Sequence, residues 1–183
     1  MMEFGGIVIL FKTCRRKFLE RRKKMALNIL LTRIDNRLVH GQVGVTWTSS
    51  LGANLLVVVD DEAADDKLQQ QLMTMTAENA GVGIRFFTVE KTIKIIGKAS
   101  DSQKIFIICK NPGVARKLID GGVPIEKLNV GNMHPGEGKK QITKKVHVNS
   151  QEEEDIRYIS SKGVHVFFQE VPEEPVYEIS ILD

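Results

Sequence analysis

From Met25 onward, apolar and polar positions fall into two alternating rhythms. Continuous apolar runs, the mark of strands buried on both faces of a parallel sheet, occur at "NILLTRI" (28–34), "ANLLVVVDD" (53–61), "VGIRFFTV" (82–89), "KIFIICK" (104–110), "KLNVGN" (127–132) and "VHVFFQEV" (164–171). "KKVHVNS" (144–150) alternates instead, as a half-exposed strand does. Between the runs lie helix-like stretches: "QVGVTWTSSLG" closed by Gly52, "EAADDKLQQQLMTMTAENA" closed by Gly81 and capped by Asp60 or Asp61, "EKTIKIIGKA", "NPGVARKLIDGG" with its Asn–Pro start and Gly–Gly stop, and "QEEEDIRYISSKG". The tail "PEEPVYEISILD" carries no clear period. Strands alternating with helices predict an α/β fold: one doubly wound domain, a mostly parallel central sheet with helices on both faces.

Composition narrows the classes. Of 183 residues, 42% are hydrophobic and 27% charged, ordinary for a globular chain, and no run of about 18 apolar residues suggests a membrane span. The two cysteines, Cys14 and Cys109, form no disulfide framework and suit a reducing compartment. The net charge of +3 is uneven: residues 1–24 hold eight bases against two acids, a net of +6, which leaves −3 for the remainder. A nucleic-acid role would rest on that extension alone, and none is expected. In the extension "GGIVILF" precedes the basic run, the reverse of a secretory signal. It reads either as a basic amphipathic helix for a membrane surface or as a mis-assigned start, because "ERRKKM" can be back-translated into a purine run holding a ribosome-binding sequence just before Met25. N-terminal sequencing of the native protein decides between them.

Ligands of open α/β sheets bind beyond the carboxyl ends of the parallel strands. The loops there are Arg33–Gly41, Asp60–Glu62, Lys110–Pro112 and Gly131–Gly138. Neither nucleotide pattern survives inspection. "GVGIRF" lacks the third glycine of a dinucleotide fingerprint, and "NMHPGEGKKQ" has Met133 where a P-loop needs glycine and Lys140 where it needs Ser or Thr. No histidine, cysteine or carboxylate grouping has metal-ligand spacing, so neither a metal nor a cofactor is expected.

The first loop carries the densest chemistry, in "LLTRIDNRLVHGQVGVTW" (30–47). A neutral imidazole at His40 is a nucleophile near neutral pH. If His40 sits where strand turns to helix, the following N–H groups, at Gly41 and Gln42, lack helical partners and can hold an anion attached to the ring. Arg37 offers a planar fork for phosphoryl oxygens, and Asp35 could fix the ring's tautomer or orient Arg37. Those residues suit phosphoryl transfer, which depends on positioning and charge stabilisation. The plainer alternative is a surface Asp35–Arg37 pair with His40 merely opening the helix. On the opposite wall, Lys110, Asn132 and His134 are candidates for phosphate-facing or loop-shaping roles. His147 and His165 read as partly buried strand residues, Trp47 as core, Met73 and Met75 as ordinary helix positions, and "QEEED" as a solvated helix start.

At these residues the chain resembles a known family. "RIDNRLVHGQV" is similar to the active-site motif of the IIB components of the mannose/sorbose-type sugar phosphotransferase system, commonly R-I-D-D/E-R-L-I/V-H-G-Q-V. "DDEAADDKLQQQLM", "KIFIICKNP", "GGVPIEKLNVGNMH", "GKKQITKKV" and "VPEEP" resemble family segments in order, from about Asn28 to Pro175. The resemblance implies that residues 25–183 form a IIB domain. It implies that His40 takes a phosphoryl group on Nδ1 from a IIA component and passes it to a sugar at the IIC/IID membrane permease. It assigns Arg37 to stabilising the transferring group and Asp35 to supporting the loop. Asn36 departs from the family pattern, where an acid is usual. "GQVGVTW" and "LNVGNMHPGEGKKQI" resemble the N-acetylgalactosamine or galactosamine branch. A cytoplasmic protein peripherally attached to the permease follows, and the family admits a homodimer. The competing expectation is a non-catalytic regulatory or binding protein on the same fold. Deleting residues 1–24 separates the two, because only a regulator built on the extension would lose its binding.

Overall fold

Strands β1 (Ile29–Asp35), β2 (Leu55–Val59), β3 (Gly83–Phe87), β4 (Ile105–Cys109), β5 (Lys127–Asn132) and β8 (His165–Phe168) stand parallel, in the order β3-β2-β4-β1-β5-β8. A short β9 (Tyr177–Glu178) adds antiparallel to β8. This is a computed structural model, and it describes residues 27–183; the basic extension and the Met25 start lie outside the described residues. Every residue of β2 and β4 is buried, as expected of central strands covered on both faces.

Helices cover both faces. One face carries a helical segment over Gln42–Trp47, α1 (Thr48–Leu51), α2 (Asp61–Asp65) and α3 (Lys67–Asn79), packed through Val43, Trp47, Ala63, Met73 and Ala77 onto Leu31, Leu56, Val58, Phe106 and Ile108. The other carries α4 (Val89–Ile95), α5 (Pro112–Asp120) and α6 (Ser150–Ser161), packed through Val89, Ala115, Leu118, Ile156 and Ile159 onto Ile34, Val57, Ile107, Leu128 and Val130. The helix after β1 therefore crosses one face and the helix after β4 the other, although β1 and β4 are neighbours. A crevice opens between their carboxyl ends, where a doubly wound sheet takes its ligand.

The structure departs from the sequence expectation in five places. The helix expected over residues 62–80 is two helices, because Asp66 is extended and caps Gln69 N–H at 3.0 Å, as Asp60 caps Ala63 at 2.8 Å. The glycine-rich loop before Lys140 ends in a strand, β6 (Lys140–Thr143), which pairs with β7 (Val146–Val148) as a separate hairpin. The unpatterned tail forms β9 and a 3₁₀ turn (Ile179–Leu182) that buries Leu182. "QEEED" is only partly solvated: Asp155 is buried and pairs with Arg116 at 2.8 Å, and Glu152 closes a capping box with Asn149. His165 is exposed beside Glu178, whereas His147 is half-buried and Trp47 and Met73 are core.

Candidate active site

Strand β1 ends at Asp35 because the chain folds back there in a tight turn, with Leu38 N–H donating to Asp35 O at 2.9 Å. Leu38 adopts φ +57, uncommon for a side-chain-bearing residue, yet is only 1% exposed. Burying the leucine holds the turn in this costly conformation and aims the next residues, Val39 into the core and His40 outward. Helical winding then begins at Gly41. Gly44 N–H donates to His40 O at 2.7 Å, so the N–H groups of Gly41, Gln42 and Val43 precede the first helical bond. The segment Gln42–Trp47 is wound as π-helix, a form that recurs at functional sites, and the helix ends at Gly52 in the left-handed conformation.

His40, with its side chain 20% exposed, meets Asp35 Oδ2 through Nε2 at 3.1 Å. Asp35 is fully buried and receives three further contacts: Arg33 Nη2 at 2.9 Å, Arg37 N–H at 3.1 Å and Asn132 Nδ2 at 3.2 Å. Burial alone would raise the Asp35 pKa, but the hydrogen bond from His40 and the charge of Arg33 outweigh it and hold the carboxyl down at about 2. A permanent carboxylate on Nε2 leaves Nδ1 as the ring nitrogen with electrons to give. Arg37 projects at the surface, its Nε 3.6 Å from Asp35 Oδ1 and its Nη2 3.3 Å from Gln42 Oε1. Asp35 is thus bound to both His40 and Arg37, where the sequence left a choice between them.

Lys110, Asn132 and His134 come together with this loop. Asn36 N–H donates to Asn132 O at 2.9 Å, Asn36 Nδ2 donates to Lys110 O at 2.7 Å, and Asn36 Oδ1 accepts from His134 N–H at 2.6 Å. The Lys110 ammonium turns away to pair with Glu62 at 2.5 Å. Among the described residues no group of three or more His, Cys, Asp or Glu side chains is placed to hold a metal.

Sequence reasoning missed Arg33. Its guanidinium lies fully buried beneath His40, donating to Asp35, to Asn129 Oδ1 at 2.5 Å and to Gln169 O at 3.1 Å, and lying 5.2 Å from the Trp47 ring. Burial pulls its pKa down, and the Asp35 charge opposes the fall. The signal was present in the sequence: an arginine inside an apolar strand must find a buried anion, and Asp35 stands two residues on, on the same face.

An α/β domain that holds one histidine by Nε2 against a buried carboxylate, with an arginine and free helical N–H groups beside it, has the outline of a phosphotransferase. Comparison with known proteins agrees. The family described as "PTS system sorbose subfamily IIB component" matches residues 29–182. The chain is 65% identical over 145 residues to the N-acetylgalactosamine-specific phosphotransferase enzyme IIB component 1 of Escherichia coli (strain K12), spanning 79% of this chain and 92% of that protein. It is 46% identical to component 2 of the same strain, spanning 83% and 96%. A crystal structure of the N-acetylgalactosamine-specific IIB component 1 from Escherichia coli superposes with a TM-score of 0.81 at 62% identity, covering 83% of this chain and 99% of that one. The IIB domain of the sorbose permease from Klebsiella pneumoniae gives 0.78 at 27%, covering 85% and 96%. The chain belongs to the sorbose subfamily of IIB components of the phosphotransferase system, and it is a phosphoryl carrier of sugar uptake.

Proposed function

We propose that His40 carries the phosphoryl group on Nδ1, taking it from a phosphohistidine of a IIA component and passing it to N-acetylgalactosamine or galactosamine at a IIC/IID permease. In the first step the N–P bond of the donor breaks as the His40 Nδ1 lone pair forms its own. In the second a sugar hydroxyl oxygen bonds to phosphorus, the P–Nδ1 bond breaks with its electron pair returning to Nδ1, and the hydroxyl proton passes to a base of the permease or to water. The observation that carries this reading is the 3.1 Å contact from Nε2 to a buried, permanently charged Asp35, which fixes the ring and leaves Nδ1 as nucleophile. The N–H groups of Gly41 and Gln42 receive phosphoryl oxygens, and Arg37 swings from Gln42 to neutralise them. Lys110, Asn132 and His134 form the facing wall.

The sugar is supported by the N-acetylgalactosamine specificity that the two Escherichia coli relatives carry in their names. No described helix is long and apolar enough to cross a membrane, in keeping with a cytoplasmic carrier that visits a permease.

Phosphate incorporation tests the reading. The protein is mixed with phosphoenolpyruvate, enzyme I, the phosphocarrier protein and a cognate IIA. Wild type should take up one acid-labile, alkali-stable phosphoryl group. His40→Ala should take up none, and Arg37→Ala should slow uptake about 10²-fold, the usual loss for one preorganised charge-stabilising donor. No uptake by wild type from phosphorylated IIA would overturn it.

A further inference from the structure

Asn36 directly follows the buried Asp35 and sits at the junction of three loops. Its side-chain amide uses both ends. Backbone chemistry settles which end is which, since Lys110 O can only accept and His134 N–H can only donate. With its own N–H on Asn132 O, Asn36 ties the His40 loop to the ends of both β4 and β5, beside the crevice where the connecting helices change face.

We propose that Asn36 is a positioning residue that fixes the width of the cleft between His40 and its facing wall, and that an ionised acid in its place opens that cleft on the β4 side. A carboxylate has no proton to give Lys110 O, so the two oxygens repel and that link breaks, while the link to His134 N–H survives. Asn36 also keeps a negative charge from standing beside Arg37, where it would compete with the incoming phosphoryl group. The inference deepens the proposed function and rests on it for its kinetic consequence, but the cross-link itself is tested separately.

The experiment compares wild type, Asn36→Asp and Asn36→Ala on the whole chain. Amide hydrogen exchange by NMR reads the cross-link directly. The His134 amide should be protected in wild type and in Asn36→Asp, and should exchange freely in Asn36→Ala. Free exchange in wild type would overturn the proposal whether or not the protein accepts phosphate. Phosphorylation of His40 is then driven by phosphoramidate, which needs no partner protein. Both variants should be three- to tenfold slower at pH 8, the worth of one hydrogen bond. The titratable or charged groups on the three tied loops, or facing them, are Arg33, Asp35, Arg37, His40, Lys110 with Glu62 and Asp60 beside it, His134, Glu137, and His147 against Met133, all common to the three proteins. The ratio of Asn36→Asp to wild type should therefore rise as the pH falls and the new carboxyl regains a proton to offer Lys110 O, while the Asn36→Ala ratio stays flat. Rates equal to wild type, or two variants whose ratios move together at every pH, would overturn the proposal.

Discussion

Asp35 is the residue on which the site turns, because four groups converge on one buried carboxylate. Its carboxyl sits at about 2 in the folded protein against an ordinary 3.8, so the folded state favours the ionised form. The sign follows: this contribution to stability is fully present above 3.8 and is lost as the pH falls through about 2. The gap corresponds to about 2 kcal/mol. Urea midpoints measured from pH 6 to pH 2 should fall toward the acid end in wild type. Asp35→Asn should lack that part of the slope, and at neutral pH it should already be destabilised by about 3 kcal/mol, since it leaves Arg33 buried without its anion. Its phosphoryl acceptance should fall about 10²-fold, because an amide holds Nε2 without fixing a charge beside it. A mutant with wild-type pH dependence would show that Asp35 is not the group being read. Much of this was legible in the sequence: the histidine, the arginine and the aspartate lie within six residues. For Arg33 only half was legible: its place in an apolar strand two residues before Asp35 pointed to the ion pair, but Asn129 and Gln169, which complete its shell, stand 96 and 136 residues away in the chain.

Strands β1 and β5 meet this buried cation with a requirement on their backbone. Residues Arg33 and Asn129 are directly paired, and Gly131 follows on the same face. A Cβ at Gly131 would stand 1.9 Å from the Arg33 guanidinium, so glycine here makes room for a side chain of another strand. Gly131→Ala should destabilise the protein by about 3 kcal/mol or more, by displacing the buried guanidinium from Asp35, Asn129 and Gln169 O. The protein that remains folded should bind phosphate to His40 more slowly; unchanged stability by urea titration would mean that Arg33 has a second place to go. Elements of this kind show how far pattern reading reaches. Apolar runs located all six parallel strands, most surely β2 and β4, since a strand buried on both faces has no choice of composition, while β3 and β8 keep exposed positions. The break of the long helix at Asp66 was hidden because both Asp60 and Asp66 are good caps and the apolar spacing does not register which one wins. The β6–β7 hairpin was hidden for the opposite reason: Lys140–Thr143 is half-exposed and polar, and only its partner makes it a strand.

The molecule as a whole separates its site from its closure. The polar network behind His40 comes from the carboxyl ends of β1, β4 and β5 and from the segment just after β8, where Gln169 O holds Arg33 and Glu170 O accepts from Trp47 Nε1 at 3.0 Å. The last residues do different work. Tyr177 and Glu178 pair with Phe168 and Phe167 at the sheet edge, Leu182 packs into the core beside it, and Arg157 clamps the end through Asp183 at 2.8 Å and Leu182 O at 2.9 Å. Removing Tyr177–Asp183 should therefore cost stability without costing chemistry. Loss of one buried leucine, about 2 kcal/mol, and of an edge pairing, about 1, gives a deficit of about 3 kcal/mol. A domain of this size holds about 5–15 kcal/mol in reserve, so the truncated protein should fold, with a urea midpoint lowered by roughly 1.5 M. Phosphoryl acceptance per folded molecule should stay within about twofold of the intact chain, because Gln169 keeps its own anchors on Pro172 O and Glu174 O. A truncated protein that folds but no longer accepts phosphate would place the tail in the site, and would mean that the edge of the sheet, and not only its carboxyl ends, shapes the histidine.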